Sequence, residues 1–384
     1  MQRTALTPRP HWQQTVSAQG LTFHTLENGD PYWDESACYQ FSTAEIDTLE
    51  AAGNTLQTMC LAAAQHIIDN KRYAELDIPA EAVPLIEWAW ENEPPALYGR
   101  FDIAWAGSDS GIPPKLLEYN ADTPTSLLEA AVIQWHWLKD THPHADQFNS
   151  LHEKLIAKWK DVASFLVPPL YFAGTDVPED ILTLAYLRDT ANQAGLLTEH
   201  LSMLDIGWND DEHAFVDADE HHIHSIFKLY PWETMLMEEF APHALDTYKD
   251  MRWIEPIWKM LLSNKGLLPI LWQLYPNHDL LLEAHFDSPA AMRNYVRKPL
   301  HSREGANITI VRDNTTVAST DGPYHGKQVY QALAPEAVFA TPLGAPRHTV
   351  LGLWMIDQEC CGLGVRESST PITDNLSAFL PHFF

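Results

Sequence analysis

Residues 100–130 read RFDIAWAGSDSGIPPKLLEYNADTPTSLLEA: two short apolar runs separated by a Gly, Ser and Pro turn, the second carrying Glu118, Asn120 and Asp122 at alternate positions. RFDIAWAG alternates as a strand and KLLEYN is a second one, so the pair reads as a hairpin. Side chains two apart on a strand share a face, which sends Arg100 and Asp102 one way on the first strand and Glu118 and Asn120 one way on the second. Asp, Glu and Asn offer only oxygen donors, a set suited to a hard cation such as Mg²⁺ held together with substrate phosphates. The guanidinium beside them could hold a phosphate. A polar Arg-Asp and Asn-Glu network on a sheet face accounts for the same spacing. Thr123-Pro124 then reads as the start of an apolar helix over 124–139, its N-terminus suited to a carboxylate.

On the N-terminal side, residues 43–70 begin with a Ser-Thr cap, carry Glu45 as a capping-box partner and repeat apolar residues at helical spacing. VPLIEWAWENEP predicts a second helix, closed by two prolines. On the C-terminal side, a helix at 148–165 leads into a strand, helix, strand rhythm, VPPLYFAG, 178–194 and TEHLSMLDIG, that predicts a small α/β lobe. AFVDADEHHIHSIFKLY reads as a hairpin ending in an apolar strand, and helices are predicted at 232–241 and 255–275. From residue 293 onward short strands dominate and predict an antiparallel sheet lobe.

At 384 residues the chain is long enough for several lobes around a well-buried core. A formal net charge of -28, with Lys and Arg scattered along the chain, argues against nucleic-acid binding. No apolar run reaches the length of a membrane span and the first residues have no signal-peptide core, so a cytoplasmic protein with no membrane partner is expected. Cys38, Cys60, Cys360 and Cys361 form no C-x-x-C and are expected as buried thiols. The histidines at 213, 221, 222 and 224 flank a polar turn and are expected on the surface.

In YVRKPLHSREGANITI, a strand carrying Lys298 enters a polar loop containing Gly305 before another strand. Such a loop can fold backbone N–H groups over phosphates without a following helix, and it equally fits a surface turn. In SNKGLLPILW, Lys265 is expected in the first turn of an apolar helix, an unfavourable place in the helix dipole. There is no Walker A loop, G-x-G-x-x-G or nucleophile elbow.

Taken together, RFD at 100–102, EYNADTPTSLLEA at 118–130, KLYPWE at 228–233, SNKGLLPILW at 263–272, KPLHSREGAN at 298–307 and GLGVRE at 362–367 resemble the synthetase domain of the glutathionylspermidine synthase family. The resemblance looks closest to the stand-alone bacterial acid–amine ligases. It implies an α/β ATP-grasp fold in several lobes, with an antiparallel sheet as a lid over the nucleotide. It also implies an ATP- and Mg²⁺-dependent reaction in which a carboxylate is phosphorylated and an amine displaces the phosphate. The lobes implied are 1–165 with the metal hairpin, 166–250 as a small α/β unit, 251–345 as the ATP lid and 346–384 as strands returning to the catalytic sheet.

Carried over residue by residue, the resemblance implies that Asp102, Glu118 and Asn120 hold Mg²⁺ and that Arg100 and Arg366 act at the transferring phosphate. Phe101 beside them, Lys265, Lys298, the loop at Gly305 and Gln331 would contact ATP. Thr123, Ser126 and Glu233 would meet the peptide or amino-acid carboxylate and the amine. Family members with two activities carry an amidase domain ahead of the synthetase, and hydrolysis of the product is not expected here. Thr123-Pro124-Thr125-Ser126 replaces their serine-rich stretch, which leaves the acid open. A catalytically silent ATP-binding or regulatory protein is the alternative, and a carbohydrate-active hydrolase with paired carboxylates is a further one.

Overall fold

In the computed structural model, which describes residues 1–335 and 337–384, the hairpin forms as predicted. Strands Tyr98–Ala104 and Lys115–Asn120 pair antiparallel, with Arg100 opposite Asn120 and Asp102 opposite Glu118. The pleat puts the residues between them on the other face. There Phe101 and Tyr119 stack in the core with ring centroids 3.9 Å apart.

The strands that complete this sheet come from the far end of the chain. Pro346–Ile356 pairs with Tyr98–Ala104, Glu359–Ser368 pairs with Pro346–Ile356, and Ala378–Leu380 closes that edge. The helix Thr43–Asp69 packs behind it. Its start is fixed by the predicted capping box: Ser42 Oγ accepts the Glu45 N–H, and the Glu45 carboxylate accepts the Ser42 N–H.

A second sheet is parallel, in the order Arg252–Ile254, Ser225–Leu229, Leu170–Gly174 and Thr198–Ser202. Helix Pro178–Gln193 connects the inner strand Leu170–Gly174 to the edge strand Thr198–Ser202, as the strand, helix, strand rhythm predicted. A third sheet is antiparallel and runs Ala284–Phe286, Gln328–Ala332, Tyr295–Pro299, Thr309–Arg312 and Thr315–Ser319. The architecture is therefore mixed α/β with several sheets.

Four local expectations change. The strands after residue 293 do not build one sheet: the first four join the five-stranded sheet and the last long pair joins the hairpin sheet. Ser225–Leu229 is no hairpin arm but an inner strand of the parallel sheet, buried throughout, while Ala214–Val216 pairs with Gly207–Asn209. The stretch 255–275 breaks into a 3₁₀ turn at Ile257–Leu261 and a helix at Leu267–Leu274. Between them Asn264 Oδ1 accepts the Gly266 N–H at 2.8 Å, so Lys265 lies in a turn ahead of the helix and not inside it. Thr123-Pro124 does not open a helix either; the helical run starts at Leu127.

The apolar side chains gather in two large clusters, and a small third one joins Ile310 of the five-stranded sheet and Ile308 just ahead of that strand to Ile372. The four cysteines are buried free thiols. Histidines 213, 221 and 222 pair with Asp246, Asp217 and Glu212 near the surface. Among the described residues no helix is long and apolar enough to cross a membrane.

Candidate functional site

The polar face of the hairpin forms one wall of a cavity of about 840 Å³. Lys298 and Gln331 of the five-stranded sheet face it, as do Tyr230 at the end of a parallel strand and Arg366 of the hairpin sheet. The volume lies within the usual range for small-molecule sites.

Asp102 accepts from Arg100 Nε at 2.7 Å and from Arg100 Nη2 at 3.2 Å, and the Asn120 amide donates to Asp102 at 3.2 Å and to Glu118 at 3.4 Å. Gly352 stands opposite Asp102, and a Cβ there would lie 2.9 Å from Arg100 Cδ, so the glycine makes room for the arginine to lie across the strand. Burial disfavours the Arg100 charge, yet Asp102 holds its pKa above the ordinary value. Glu118 is paired with Lys265 at 2.7 Å. Burial alone would raise its pKa, but Lys265 and Lys298 pull it down to about 2. The carboxylate is therefore ionised at any working pH.

Lys298 Nζ donates to Gln331 Oε1 at 2.8 Å and to the Leu117 carbonyl at 3.1 Å. Burial lowers its pKa to about 8, against the pull of Glu118. Among the described residues no group of three or more His, Cys, Asp or Glu side chains could hold a metal ion by itself. Two carboxylates and an amide on neighbouring strands fit a Mg²⁺ ion that takes its remaining oxygens from phosphates and water.

The loop from Ser302 to Ile308 covers one end of the cavity. Lys265 Nζ donates to the Ser302 carbonyl at 2.5 Å. Arg303 reaches the Thr123 hydroxyl at 2.8 Å and Glu233 at 2.7 Å. At Gly305, φ is +69° and a Cβ would sit 2.5 Å from the Thr373 carbonyl, so no larger residue fits without moving the loop.

Next to the segment that Gly305 meets, Arg366 donates to the carbonyls of Asp374 and Ser377, both at 2.9 Å from Nη2. Its guanidinium carbon lies 5.5 Å from the centroid of the Tyr32 ring. Glu179 and Asp180, at the start of helix Pro178–Gln193, line the wall beside it.

From residue 3 to residue 384 the chain matches the family described as "Glutathionylspermidine synthase preATP-grasp". The chain belongs to the glutathionylspermidine synthase family.

A Haemophilus influenzae relative named "Putative acid--amine ligase" is 38% identical, over 99% of this chain and 98% of its own. Trypanothione synthetase of Crithidia fasciculata is 28% identical over 83% of this chain, and the bifunctional glutathionylspermidine synthetase/amidase of Escherichia coli 28% over 80%. In both of these the match spans 52% of the relative, so the chain covers about half of their length.

In this glutathionylspermidine synthase family member the structure brings Arg100, Asp102, Glu118, Asn120, Thr123, Lys265, Lys298, Gly305, Gln331 and Arg366 to one cavity. Three expectations need correction. The Phe101 side chain is fully buried on the opposite face of its strand, as the pleat requires, and cannot touch a ligand in the cavity. Glu233 is engaged by Arg303 and does not line the cavity, so it is not free to take an amine. Ser126 lies in a small recess between Arg100 and Arg366.

Residues 123–126 stay out of the helix because their backbone is used elsewhere. The Pro124 carbonyl accepts from Tyr98 Oη at 2.9 Å, and the Thr125 carbonyl from Arg100 Nη1 at 2.8 Å. Reasoning from sequence missed Arg303, Glu179, Asp180 and Tyr32. Arg303 lay within a quoted motif, whereas Tyr32 belongs to an N-terminal segment without regular structure and carried no signal.

Proposed function

We propose that the protein is an ATP- and Mg²⁺-dependent ligase that joins a peptide or amino-acid carboxylate to an amine through an acyl phosphate. One observation carries this reading: two carboxylates and an amide share a cavity with Lys265, Lys298, Arg100 and Arg366. Phosphoryl transfer asks a protein mainly for positioning and charge neutralisation, and this set supplies both.

The fold would be of ATP-grasp type. Residues 251–345 would act as the lid, with 1–165 and 346–384 forming the catalytic sheet and 166–250 a small α/β unit. Lys298 and Lys265 would bind the ATP phosphates, Gln331 would orient Lys298, and the Gly305 loop would exclude water. Asp102, Glu118 and Asn120 would hold Mg²⁺, which supplies charge neutralisation between the phosphates. Arg100 and Arg366 would face the phosphoryl group and the acid, and the wall at Glu179 and Asp180 would favour a cationic amine.

The test is ADP release with Mg²⁺ and a pool of small acids and amines, with products read by mass spectrometry. Asp102→Ala combined with Glu118→Ala is expected to cut acid-dependent ADP release by at least about 100-fold. Unchanged nucleotide turnover in that variant would remove the metal assignment. Stabilisation of the wild type by ATP and Mg²⁺ in a thermal-shift assay, without ADP release from any pool, would favour a silent nucleotide-binding protein.

A further inference from the structure

Glu129 is a buried carboxyl group to which the proposed reaction gives no task. It is 3% exposed, and its side-chain partner is the Tyr32 hydroxyl, which donates to Oε1 at 2.7 Å. A carboxyl group so placed, with no cation in hydrogen-bonding contact, costs stability.

Two departures from regular backbone sit beside it. Ser126 has φ +66°, a conformation that side-chain-bearing residues seldom adopt and that collects at functional sites. Glu129 itself opens a π-helical stretch, Glu129–Ile133, a geometry also concentrated at such sites.

These features build a line of hydrogen-bonding groups. Glu179 lines the cavity, and the Ser126 hydroxyl lies 3.4 Å from its Oε1. The same hydroxyl is 3.2 Å from Tyr32 Oη, which in turn reaches Glu129. Thr125 Oγ1 donates to Glu179 at 2.5 Å and fixes that carboxylate at the head of the line.

We propose that Glu129 is the terminal acceptor for the proton of the amine substrate, reached from Glu179 through the hydroxyls of Ser126 and Tyr32. The inference rests on the ligase reading above. The ammonium gives a proton to Glu179. Glu179 passes it to Ser126 Oγ, the Ser126 proton moves to Tyr32 Oη, and the Tyr32 proton moves to Glu129. The neutral amine then attacks the acyl phosphate: the C–N bond forms as the C–O bond to phosphate breaks, and the second amine proton leaves with the phosphate. The 3.4 Å link from Glu179 to Ser126 is the long one and must shorten for transfer.

The groups facing Glu129 are Tyr32 from the N-terminal segment, Glu179 from helix Pro178–Gln193 and Arg366 from strand Glu359–Ser368. Burial pushes the Glu129 carboxyl up to about 7, with Tyr32 and Arg366 pulling down and Glu179 pushing up. The acceptor is then poised near neutral pH, where proton transfer is most effective.

The test compares two nucleophiles on one acyl phosphate. Hydroxylamine is largely unprotonated at pH 7 and has no proton to give up first, whereas spermidine is protonated. Glutathione and the common amino acids serve as acid probes. In Tyr32→Phe and Glu129→Gln, the ratio of spermidine ligation to hydroxamate formation should fall at least about 10-fold at pH 7. It should recover toward the wild-type ratio near pH 9.5, where solution supplies free amine. A ratio unchanged at pH 7, or equal loss with both nucleophiles at every pH, overturns the relay and leaves Glu129 structural. Absence of hydroxamate from the wild type with every acid overturns the ligase reading instead, and the relay with it.

Discussion

Asp122 shares a face of the sequence pattern with Glu118 and Asn120 but not their surroundings. It is 1% exposed, accepts from Lys228 Nζ at 2.7 Å and from the Trp232 N–H at 3.1 Å, and so ties the hairpin to the KLYPWE segment. Lys228 is fully buried, which lowers its pKa, and Asp122 opposes that shift. Removing one member of a buried pair leaves the other charge uncompensated. Asp122→Ala should therefore cost about 3–5 kcal/mol in urea unfolding; a loss below about 1 kcal/mol would mean that water reaches Lys228. The alternation of Arg100, Asp102, Glu118 and Asn120 was legible because the pleat alone decides which side chains share a face. Arg303, Tyr32 and Glu179 were not, since their neighbours lie 180, 94 and 54 positions away in sequence.

Among elements, the reliable ones were those with their own end signals. The helix Thr43–Asp69 has its capping box and the hairpin its Gly and Pro turn. The helix expected at 124 failed because a local signal, Pro after Thr, lost to carbonyls claimed by Tyr98 and Arg100. The Ser302–Ile308 loop shows the same dependence on distant partners, since Gly305 meets the Thr373 carbonyl. Gly305→Val is expected to raise KM for ATP at least about 10-fold, because a side chain at positive φ against that carbonyl displaces the cover. Urea unfolding should change by no more than about 1 kcal/mol, as for other changes outside the core. A large stability loss with unchanged KM would show that the loop serves folding and not the nucleotide.

At the scale of the molecule, His382 connects the C-terminal strand to the helical layer. It is fully buried, with Nδ1 2.9 Å from Gln134 Oε1 and Nε2 accepting the Phe148 N–H at 3.2 Å. Both ring nitrogens are thus used by one neutral tautomer, and burial lowers the pKa to about 3. Between that value and an ordinary histidine near 6.5 the unfolded chain binds the extra proton, so stability rises with pH in this window and is lost as pH falls below 6.5. The urea midpoint should be lower at pH 5 than at pH 7.5, and His382→Gln should flatten that difference. An equally steep pH dependence in the variant would assign it to carboxylates elsewhere.

The sequence by itself determined the family, the hairpin and its facing polar residues, and the lysine, glycine and arginine motifs of the cavity. Periodicity, turn chemistry and short-range spacing depend only on neighbours along the chain. Tertiary structure alone decided that Arg303 occupies Glu233, and that Tyr32, Ser126, Glu129 and Glu179 stand in line. Those outcomes depend on which distant segments compete for the same buried donors and acceptors, and that competition exists only once the sheets have closed on one another.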